Sequence, residues 1–247
     1  RHRAVGFSMG NKGYVAAGYG STSEPLDLLR DFWEFDPAYN TWTRKADFGG
    51  LPRYDAVGFS IGSRCFVGAG MVNPIDLQSA FPVTDLWEYI PANNTWLQRA
   101  DVPGNFPDIV FTSGSRAYSL SRATATDPCQ LWEYDPTSTN TWTQKPPFGG
   151  TGRTAAVGFS IGTKGYITTG NDGFIFDNPL NDLWVFDQAT GAWNQKADLP
   201  GPARMWATGF AIGGKGYVGT GCDAGLTNHV LNDFWEYDPV QNNWTQK

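Results

Sequence analysis

The sequence predicts an all-β fold made of five repeats, each with four short strands. Two observations carry this prediction: tryptophans recur in pairs, and a strand-and-turn pattern recurs around every pair. Ten of the eleven tryptophans form the pairs Trp33/Trp42, Trp87/Trp96, Trp132/Trp142, Trp184/Trp193 and Trp235/Trp244. A motif that returns about every 50 residues is the signature of a repeat architecture.

The first strand of each repeat alternates small and large residues. The pattern is clearest in Ala4–Met9, Ala56–Ile61, Ala156–Ile161 and Ala207–Ile212. One face carries Ala, Gly and Ser, and the other carries Val or Thr, Phe, and Met or Ile. A period of two indicates a strand whose faces meet different neighbours. We therefore expect the large face of one repeat to lie on the small face of the next.

The remaining strands follow in a fixed order. A glycine-containing turn leads to a second strand in Gly13–Gly18, Gly165–Gly170 and Gly216–Gly221. A third strand is found in Asp31–Asp36, Asp182–Asp187 and Asp233–Asp238. An Asp-Pro turn often follows, and the second tryptophan of each pair begins the outer strand. Strands joined by such turns form an antiparallel meander.

Four-stranded meanders that bury both faces by stacking are the blades of a β-propeller. We predict one five-bladed domain over residues 1–247, with repeats at approximately 1–50, 51–102, 103–150, 151–201 and 202–247. Closure would require blade five to pack against blade one. The alternative is a part of a six- or seven-bladed ring. The paired tryptophans are interpreted as buried structural residues, with a ligand-stacking stripe as the alternative.

The segment Asn232-Asp233-Phe234-Trp235-Glu236-Tyr237-Asp238-Pro239 resembles a kelch repeat. The resemblance extends over the whole chain and is greatest to kelch repeats of bacterial surface and secreted proteins. It implies a kelch-type propeller and an extracellular, cell-surface or periplasmic location. Kelch propellers include binding scaffolds, sugar-modifying enzymes and assembly subunits, so the resemblance leaves the function open.

The sequence departs from the kelch pattern after the second strand. Where the family has two glycines, this chain has Ala or Thr followed by one glycine, as in Ala17-Gly18 and Thr169-Gly170. The third repeat has Ser119-Leu120-Ser121 there instead.

Composition excludes several classes of function. The net charge is −6, which argues against a nucleic-acid partner because such a partner needs a basic surface. No apolar run approaches the roughly 20 residues that a membrane helix requires. Cys65, Cys129 and Cys222 lack metal-site spacing. Cys65 is interpreted as a structural thiol, and a Cys129–Cys222 disulfide remains an alternative.

Candidate binding residues precede the first strands, at the end where the variable loops gather. They are Arg3, Arg53, Arg153 and Arg204, with Asn105 at the aligned place in repeat three. Accessible guanidinium groups there would suit carboxylates or sugar hydroxyls. Kelch adaptors of ubiquitin ligases hold acidic peptides with similarly placed arginines, and the resemblance implies the same use here. The structural alternative is that each arginine pairs with a carboxylate such as Asp31, Asp85, Asp182 or Asp233.

Catalytic motifs are lacking. His2 and His229 are the only histidines, so a histidine-rich metal site is excluded, and we predict no catalytic residue, metal site or cofactor. We favour a non-enzymatic binding or assembly scaffold that presents its loops to a protein or glycan partner. One alternative is a sugar-converting enzyme similar to kelch-type sialic acid mutarotases. Another is a subunit of a larger cell-surface complex.

Overall fold

The structure is a computed structural model that describes residues 1–20, 27–72, 80–104, 109–121, 127–172, 178–223 and 229–247. Its described residues form 22 strands and no helix. Twenty of the strands make five four-stranded sheets. No helix in the described ranges is long and apolar enough to span a membrane.

The chain divides into two compact units. The first comprises Arg1–Asp108 and Tyr134–Trp142. Blade one consists of β1 (Val5–Met9), β2 (Lys12–Ala16), β3 (Phe32–Asp36) and β4 (Thr41–Arg44). Blade two consists of β5 (Val57–Ile61), β6 (Arg64–Gly68), β9 (Leu86–Ile90) and β10 (Thr95–Arg99). The loop of blade two carries a small sheet of β7 (Met71–Val72) and β8 (Phe81–Pro82).

The second unit comprises Ile109–Glu133 and Thr143–Lys247, so blade three contributes residues to both units. Blade three consists of β11 (Ile109–Ser113), β12 (Arg116–Ser121), β13 (Gln130–Asp135) and β14 (Thr141–Lys145). Blade four consists of β15 (Val157–Ile161), β16 (Lys164–Thr168), β17 (Leu183–Asp187) and β18 (Ala192–Lys196). Blade five consists of β19 (Thr208–Ile212), β20 (Lys215–Gly219), β21 (Phe234–Asp238) and β22 (Asn243–Gln246).

The predicted five-bladed propeller with four antiparallel strands per blade is confirmed. The register follows the alternation of strand one, since Phe159 pairs with Tyr166 across β15 and β16 and their rings stack at 5.3 Å. The Ser119-Leu120-Ser121 departure makes β12 one residue longer than the second strands of the other blades. The single domain and the closure of blade five on blade one stay predictions.

The core residues differ in part from those expected. Leu183, the residue before Trp184, is fully buried, whereas Trp184 itself is only partly buried and packs against a cluster of buried residues that includes Phe148 and Phe186. Tyr89 in blade two is likewise almost fully buried. Trp42 on the outer strand of blade one is 52% exposed. The tryptophans therefore border the core, and the aliphatic residues and tyrosines beside them fill it.

The three cysteines are buried and form no disulfide, so the alternative of a Cys129–Cys222 disulfide is wrong. Cys65 is fully buried in β6, and burial raises the pKa of its thiol to about 12. Cys129 accepts a hydrogen bond from the Arg153 N–H at 3.3 Å. A buried thiol with a raised pKa carries little of the reactive thiolate.

The single glycine after the second strand of blades one, two, four and five meets a steric requirement. Gly18, Gly70, Gly170 and Gly221 have φ between 87° and 97°. At Gly70 an added Cβ would lie 2.6 Å from the Tyr54 carbonyl oxygen, and the other three positions are equally crowded. The preceding Ala or Thr also has positive φ, for example 62° at Thr169. Both residues thus have the positive φ that a pair of glycines would adopt, although the first of them carries a side chain.

Candidate functional site at the loop end

The residues before strand one and the start of the long loops lie side by side. Isolated antiparallel bridges join His2 to Tyr19, Tyr54 to Met71, Thr154 to Asn171 and Met205 to Cys222. The segment that carries the predicted arginines is therefore hydrogen-bonded to the loop between strands two and three, as the meander topology predicts. We call this part of each blade the loop end. Much of the loops themselves lies outside the described residues.

Arg53, Arg153 and Arg204 share one set of contacts at the loop end. Each guanidinium group pairs with the aspartate that precedes strand three: Asp85, Asp182 and Asp233 respectively. Each Nε donates to the carbonyl oxygen two residues earlier, at 3.0–3.1 Å. Each NH1 also donates to the carbonyl of the positive-φ Ala or Thr after strand two. The arginine thereby joins three segments of its own blade.

The aspartate also connects to the tryptophan pattern. Asp85 accepts a hydrogen bond from the Trp87 indole N–H at 2.7 Å. Asp182 and Asp233 accept the same bond from Trp184 and Trp235. A methyl group added at Gly50 would overlap both Arg53 and Asp85, so the glycine lets the backbone cover this ion pair.

These contacts set the protonation of the aspartates. Burial raises the pKa of Asp85 and Asp182, but hydrogen bonds and charge from their arginines, with the indole bond, outweigh it and leave both pKa values below the usual range. At Asp233 the hydrogen bond from Arg204 is the largest influence, and its pKa is also lowered. All three carboxylates are therefore charged partners of buried cations near neutral pH.

The expectation of accessible guanidinium groups is wrong for three of the four arginines. Arg53, Arg153 and Arg204 are at most 1% exposed. Their geometry favours the structural alternative, with the aspartate partners that the sequence suggested. A ligand-binding role for these residues stays a prediction. Asn105 lies outside the described residues.

Arg3 differs from the others because it stands at another position. Arg1 pairs with Asp31, and Asp31 accepts the Trp33 indole N–H at 2.6 Å, which repeats the arrangement in the other blades. Arg1 is thus the equivalent of Arg53, and Arg3 lies two residues later, level with Asp55. The sequence signal was available, since Arg1 and Arg53 each precede the first residue of strand one by four positions.

The position of Arg3 is a distinct structural feature of the loop end, which we call the variable position. It is occupied by Arg3, Asp55, Ala155 and Trp206, all with φ of 50–54°. In the first unit the Asp55 N–H donates to the Arg3 carbonyl at 3.1 Å. In the second unit the Trp206 N–H donates to the Ala155 carbonyl at 3.0 Å. Non-glycine residues at positive φ are uncommon and are enriched at functional sites.

In the first unit the variable position carries a polar and aromatic cluster. The Arg3 Nε donates to Asp55 Oδ1 at 2.8 Å, and its guanidinium carbon lies 4.9 Å from the Tyr54 ring centroid. Tyr54 meets Tyr19 edge to face at 5.9 Å, and Tyr19 stacks on His2 at 5.5 Å. The Arg3 side chain is 43% exposed. We call these five residues the Arg3 cluster.

Electrostatics make Asp55 the adjustable member of the Arg3 cluster. Burial raises the pKa of Asp55, and the charge and hydrogen bond of Arg3 only partly oppose this. Protonation of Asp55 would free the Arg3 guanidinium for another anion. The sequence analysis selected Arg3 but missed His2, Tyr19, Tyr54 and Asp55 as its neighbours, because their proximity depends on the bridges between segments.

In the second unit the variable position presents Trp206. This indole is 47% exposed, although its neighbours Arg204 and Met205 are fully buried. Trp206 is also the tryptophan that lies outside the five pairs. Within the described ranges, no group of three or more His, Cys, Asp or Glu side chains is placed to hold a metal ion.

Comparisons with known proteins support the fold. No family model matches the sequence. N-acetylneuraminate epimerase from Yersinia enterocolitica is 39% identical over 62 residues, which are 24% of this chain and 16% of that protein. The chain thus matches only a small part of the length of this curated relative. A solved structure described as "Structure of YjhT" has a TM-score of 0.77 at 15% identity, covering 99% of this chain and 83% of that chain. This likeness shows a shared propeller fold.

Proposed function

We propose that this chain is a binding module whose loop end takes a glycan with a carboxylate group. The observation that carries the proposal is the exposed Arg3 guanidinium, held beside aromatic rings in the Arg3 cluster. Arginine suits this role because its planar fork binds carboxylates through two hydrogen bonds. Tyr54 is buried behind the Arg3 guanidinium, whereas the partly exposed Tyr19 offers a hydroxyl group and an apolar face, which suit the hydroxyl groups and C–H faces of a sugar ring.

The relative from Yersinia supports the choice of ligand. Its name specifies N-acetylneuraminate, a sugar that carries a carboxylate at neutral pH. The match covers a small part of that protein, so the ligand class comes to this chain as a proposal. N-acetylneuraminate is therefore the first probe, and N-acetylglucosamine serves as a neutral sugar for comparison.

Titration calorimetry of wild-type protein with both sugars tests the proposal. We expect measurable binding of N-acetylneuraminate, and a loss of about 10-fold or more in affinity for Arg3→Ala, since a hydrogen bond to a charged group contributes about 1.5–3 kcal/mol. Arg44→Ala is the matched control, because Arg44 is also exposed and ion-paired, with Asp47. Equal binding of both sugars, or equal affinity of wild type and Arg3→Ala, would refute the proposal.

A substitution of Asp55 supplies a second test, in which the affinity for N-acetylneuraminate should rise instead of fall. Asp55 competes with a ligand carboxylate for Arg3, so Asp55→Asn should strengthen binding of N-acetylneuraminate. The wild-type affinity should also rise as the pH falls toward the raised pKa of Asp55, whereas Asp55→Asn should lose this pH dependence. An Asp55→Asn variant that binds more weakly than wild type would show that Asp55 contacts the ligand directly.

The second candidate function is conversion of a sugar, and the name of the Yersinia relative favours it. Proton NMR distinguishes the two, because an enzyme accelerates the interconversion of N-acetylneuraminate anomers or epimers at catalytic concentration. A binding module shifts or broadens the sugar resonances and leaves the rate of interconversion unchanged. Acceleration that is lost in Arg3→Ala would replace the binding proposal with the enzymatic one.

A further inference from the structure

The glutamate in the middle of strand three is held by cations and a tyrosine in blade one. Glu34 accepts a hydrogen bond from Lys12 Nζ at 2.8 Å and another from the Tyr14 hydroxyl at 2.8 Å. Lys45 Nζ lies 3.6 Å from the same carboxylate. Two lysines and a tyrosine hydroxyl thus converge on one carboxylate, and the glutamate that carries it is buried.

The same arrangement recurs around the other glutamates at this position. In blade five, Lys215 Nζ and the Tyr217 hydroxyl each lie 3.0 Å from Glu236. In blade three, the Tyr118 hydroxyl donates to Glu133 at 2.6 Å. In blade two, two arginines hold the equivalent carboxylate. The cluster is therefore a repeated feature of the blades, with a carboxylate at its centre.

Blade four keeps the surrounding groups but has Val185 in place of the glutamate. Val185 pairs with Tyr166 across β16 and β17, as the glutamate and the tyrosine do in blade one. Lys164 begins β16 and Lys196 ends β18, at the positions of the two lysines in blade one. Paired residues and residues two positions apart share one face of a sheet. We call these residues the blade-four site: Lys164, Tyr166, Val185 and Lys196.

The hydrogen-bond donors of the blade-four site have no glutamate to bind. Tyr166 is 4% exposed, and its hydroxyl makes no hydrogen bond among the described residues. Burial raises the pKa of Tyr166, so the hydroxyl stays protonated and can donate. Lys196 has no ion pair in the part of the chain that the structure describes, and Lys164 Nζ lies 3.5 Å from Asp187. Blade four thus has two lysines and one carboxylate, whereas blade one has two lysines and two carboxylates.

We propose that the blade-four site binds the carboxylate of a short monocarboxylic acid, with acetate as the simplest example. The ligand carboxylate would accept hydrogen bonds from the Tyr166 hydroxyl and the two lysines, as the glutamate carboxylate does in blade one. Valine has no atom at the position of that carboxyl group, and Val185 belongs to an apolar cluster that suits the short alkyl chain. The Lys164 side chain is 49% exposed, so the site can be approached from solvent.

Thermal unfolding in acetate tests the proposal, with the ionic strength held constant by chloride because salt screens charges. A ligand that binds only the folded state raises the melting temperature in proportion to its occupancy. We expect this rise for wild type over about 1–200 mM acetate, since so few ligand atoms give millimolar affinity. Val185→Glu supplies a carboxylate of its own, repeats the cluster of blade one, and should abolish the rise.

A matched pair of tyrosine variants separates the blade-four site from a general effect of salt. Tyr166→Phe should weaken acetate binding by about 10-fold, since a hydrogen bond to a charged group is lost. It should leave the melting temperature in chloride unchanged, because the Tyr166 hydroxyl has no partner among the described residues. Tyr14→Phe should do the reverse, because Tyr14 already donates to Glu34. Its melting temperature in chloride should fall, and its response to acetate should remain.

The Arg3 cluster is the other place where a carboxylate could bind, so Arg3→Ala is measured alongside and should keep the full response to acetate. Loss of the response in Arg3→Ala would overturn the proposal. Acetate that stabilises wild type no more than chloride does would also overturn it, as would an equal response of Tyr166→Phe and wild type. The tyrosine pair decides the test if Val185→Glu does not fold.

Discussion

The guanidinium group of Arg153 is fully buried and meets three segments of blade four. Its NH2 donates to Asp182 at 2.8 Å, its NH1 to the Thr169 carbonyl at 3.0 Å, and its Nε to the Thr151 carbonyl at 3.0 Å. A charge is costly to bury unless hydrogen bonds satisfy it, and this arrangement satisfies Arg153 on both edges of the planar group. Arg53 and Arg204 have the same environment.

The double change Arg53→Ala and Arg153→Ala should destabilise the protein strongly. Removing one partner of a buried ion pair costs about 3–5 kcal/mol, since the remaining carboxylate is left largely desolvated without its cation. Arg3→Ala should cost less than about 1 kcal/mol, because the Arg3–Asp55 pair is only partly buried and solvent screens its charges. Urea unfolding measures both. A double variant as stable as wild type would contradict the structural role of Arg53 and Arg153.

The alanine or threonine before the turn glycine is a departure from the kelch pattern that the buried arginines explain. Thr169 adopts φ of 62°, which a side chain disfavours by about 1–3 kcal/mol. Its carbonyl oxygen accepts the Arg153 bond, so the buried guanidinium holds the strained peptide in place. The second member, Gly170, has no such freedom, because a Cβ there would overlap the backbone of Thr154 and Ala156.

At the scale of the element, the third strand is the one that connects packing with the loop end. The Trp87 indole packs directly against Gly49, where an added Cβ would overlap its ring, and its N–H donates to Asp85 just before the strand. Trp184 in blade four has the same aspartate bond and meets Phe148 edge to face at 5.8 Å. Each tryptophan thus packs strand three against the segment that precedes strand one of the same blade.

Trp87→Ala and Trp184→Ala should each lower the free energy of unfolding by about 3–5 kcal/mol, the usual range for a packed tryptophan. Trp42→Ala should change it by less than about 0.5 kcal/mol, because that indole is on the surface. Chemical denaturation of the three variants makes the comparison. Equal losses at Trp42 and Trp87 would contradict the difference in burial between these two indoles.

At the scale of the whole molecule, acidic residues outnumber basic ones, but three partly buried aspartates act as local partners of arginine. The net charge of −6 concerns the electrostatic potential around the protein and does not explain the fold. The pKa values of Asp85, Asp182 and Asp233 are all lowered by their arginines and tryptophans. Since all three pKa values are lowered, protonation of each aspartate at acid pH should reduce the stability of the folded protein.

Stability should therefore fall as the pH drops below about 4. Each aspartate has a lower pKa in the folded state than its unfolded value of about 3.9, so its stabilisation is complete above that value and is lost as the folded protein takes up protons. Urea unfolding at pH 7, 5 and 3 should show the decline between pH 5 and 3. The Arg53→Ala, Arg153→Ala variant should show a shallower decline, and an equally steep one would place the acid sensitivity elsewhere.

The repeat itself was predictable because each blade repeats the same local chemistry. Alternation of small and large residues in strand one, glycine turns and the paired tryptophans indicated strand number, strand order and blade number. The residues that fill the core were less predictable: Leu183 and Tyr89 carry no more local signal than Trp184, and only the packing shows which side chain points inward. The candidate site shows the same limit, since Arg3 and Arg53 look alike in the sequence but differ in burial.

By itself the sequence determined the five-bladed β-propeller, because strand periodicity and turn chemistry are local and recur in five repeats. Only the tertiary structure decided the state of each arginine. Arg53 is buried on Asp85, whereas Arg3 is exposed beside Asp55, and a shift of two residues relative to strand one separates these outcomes. The tertiary structure likewise brought His2, Tyr19 and Tyr54 to Arg3. Their contacts arise from bridges between segments distant in the chain, which no local pattern records.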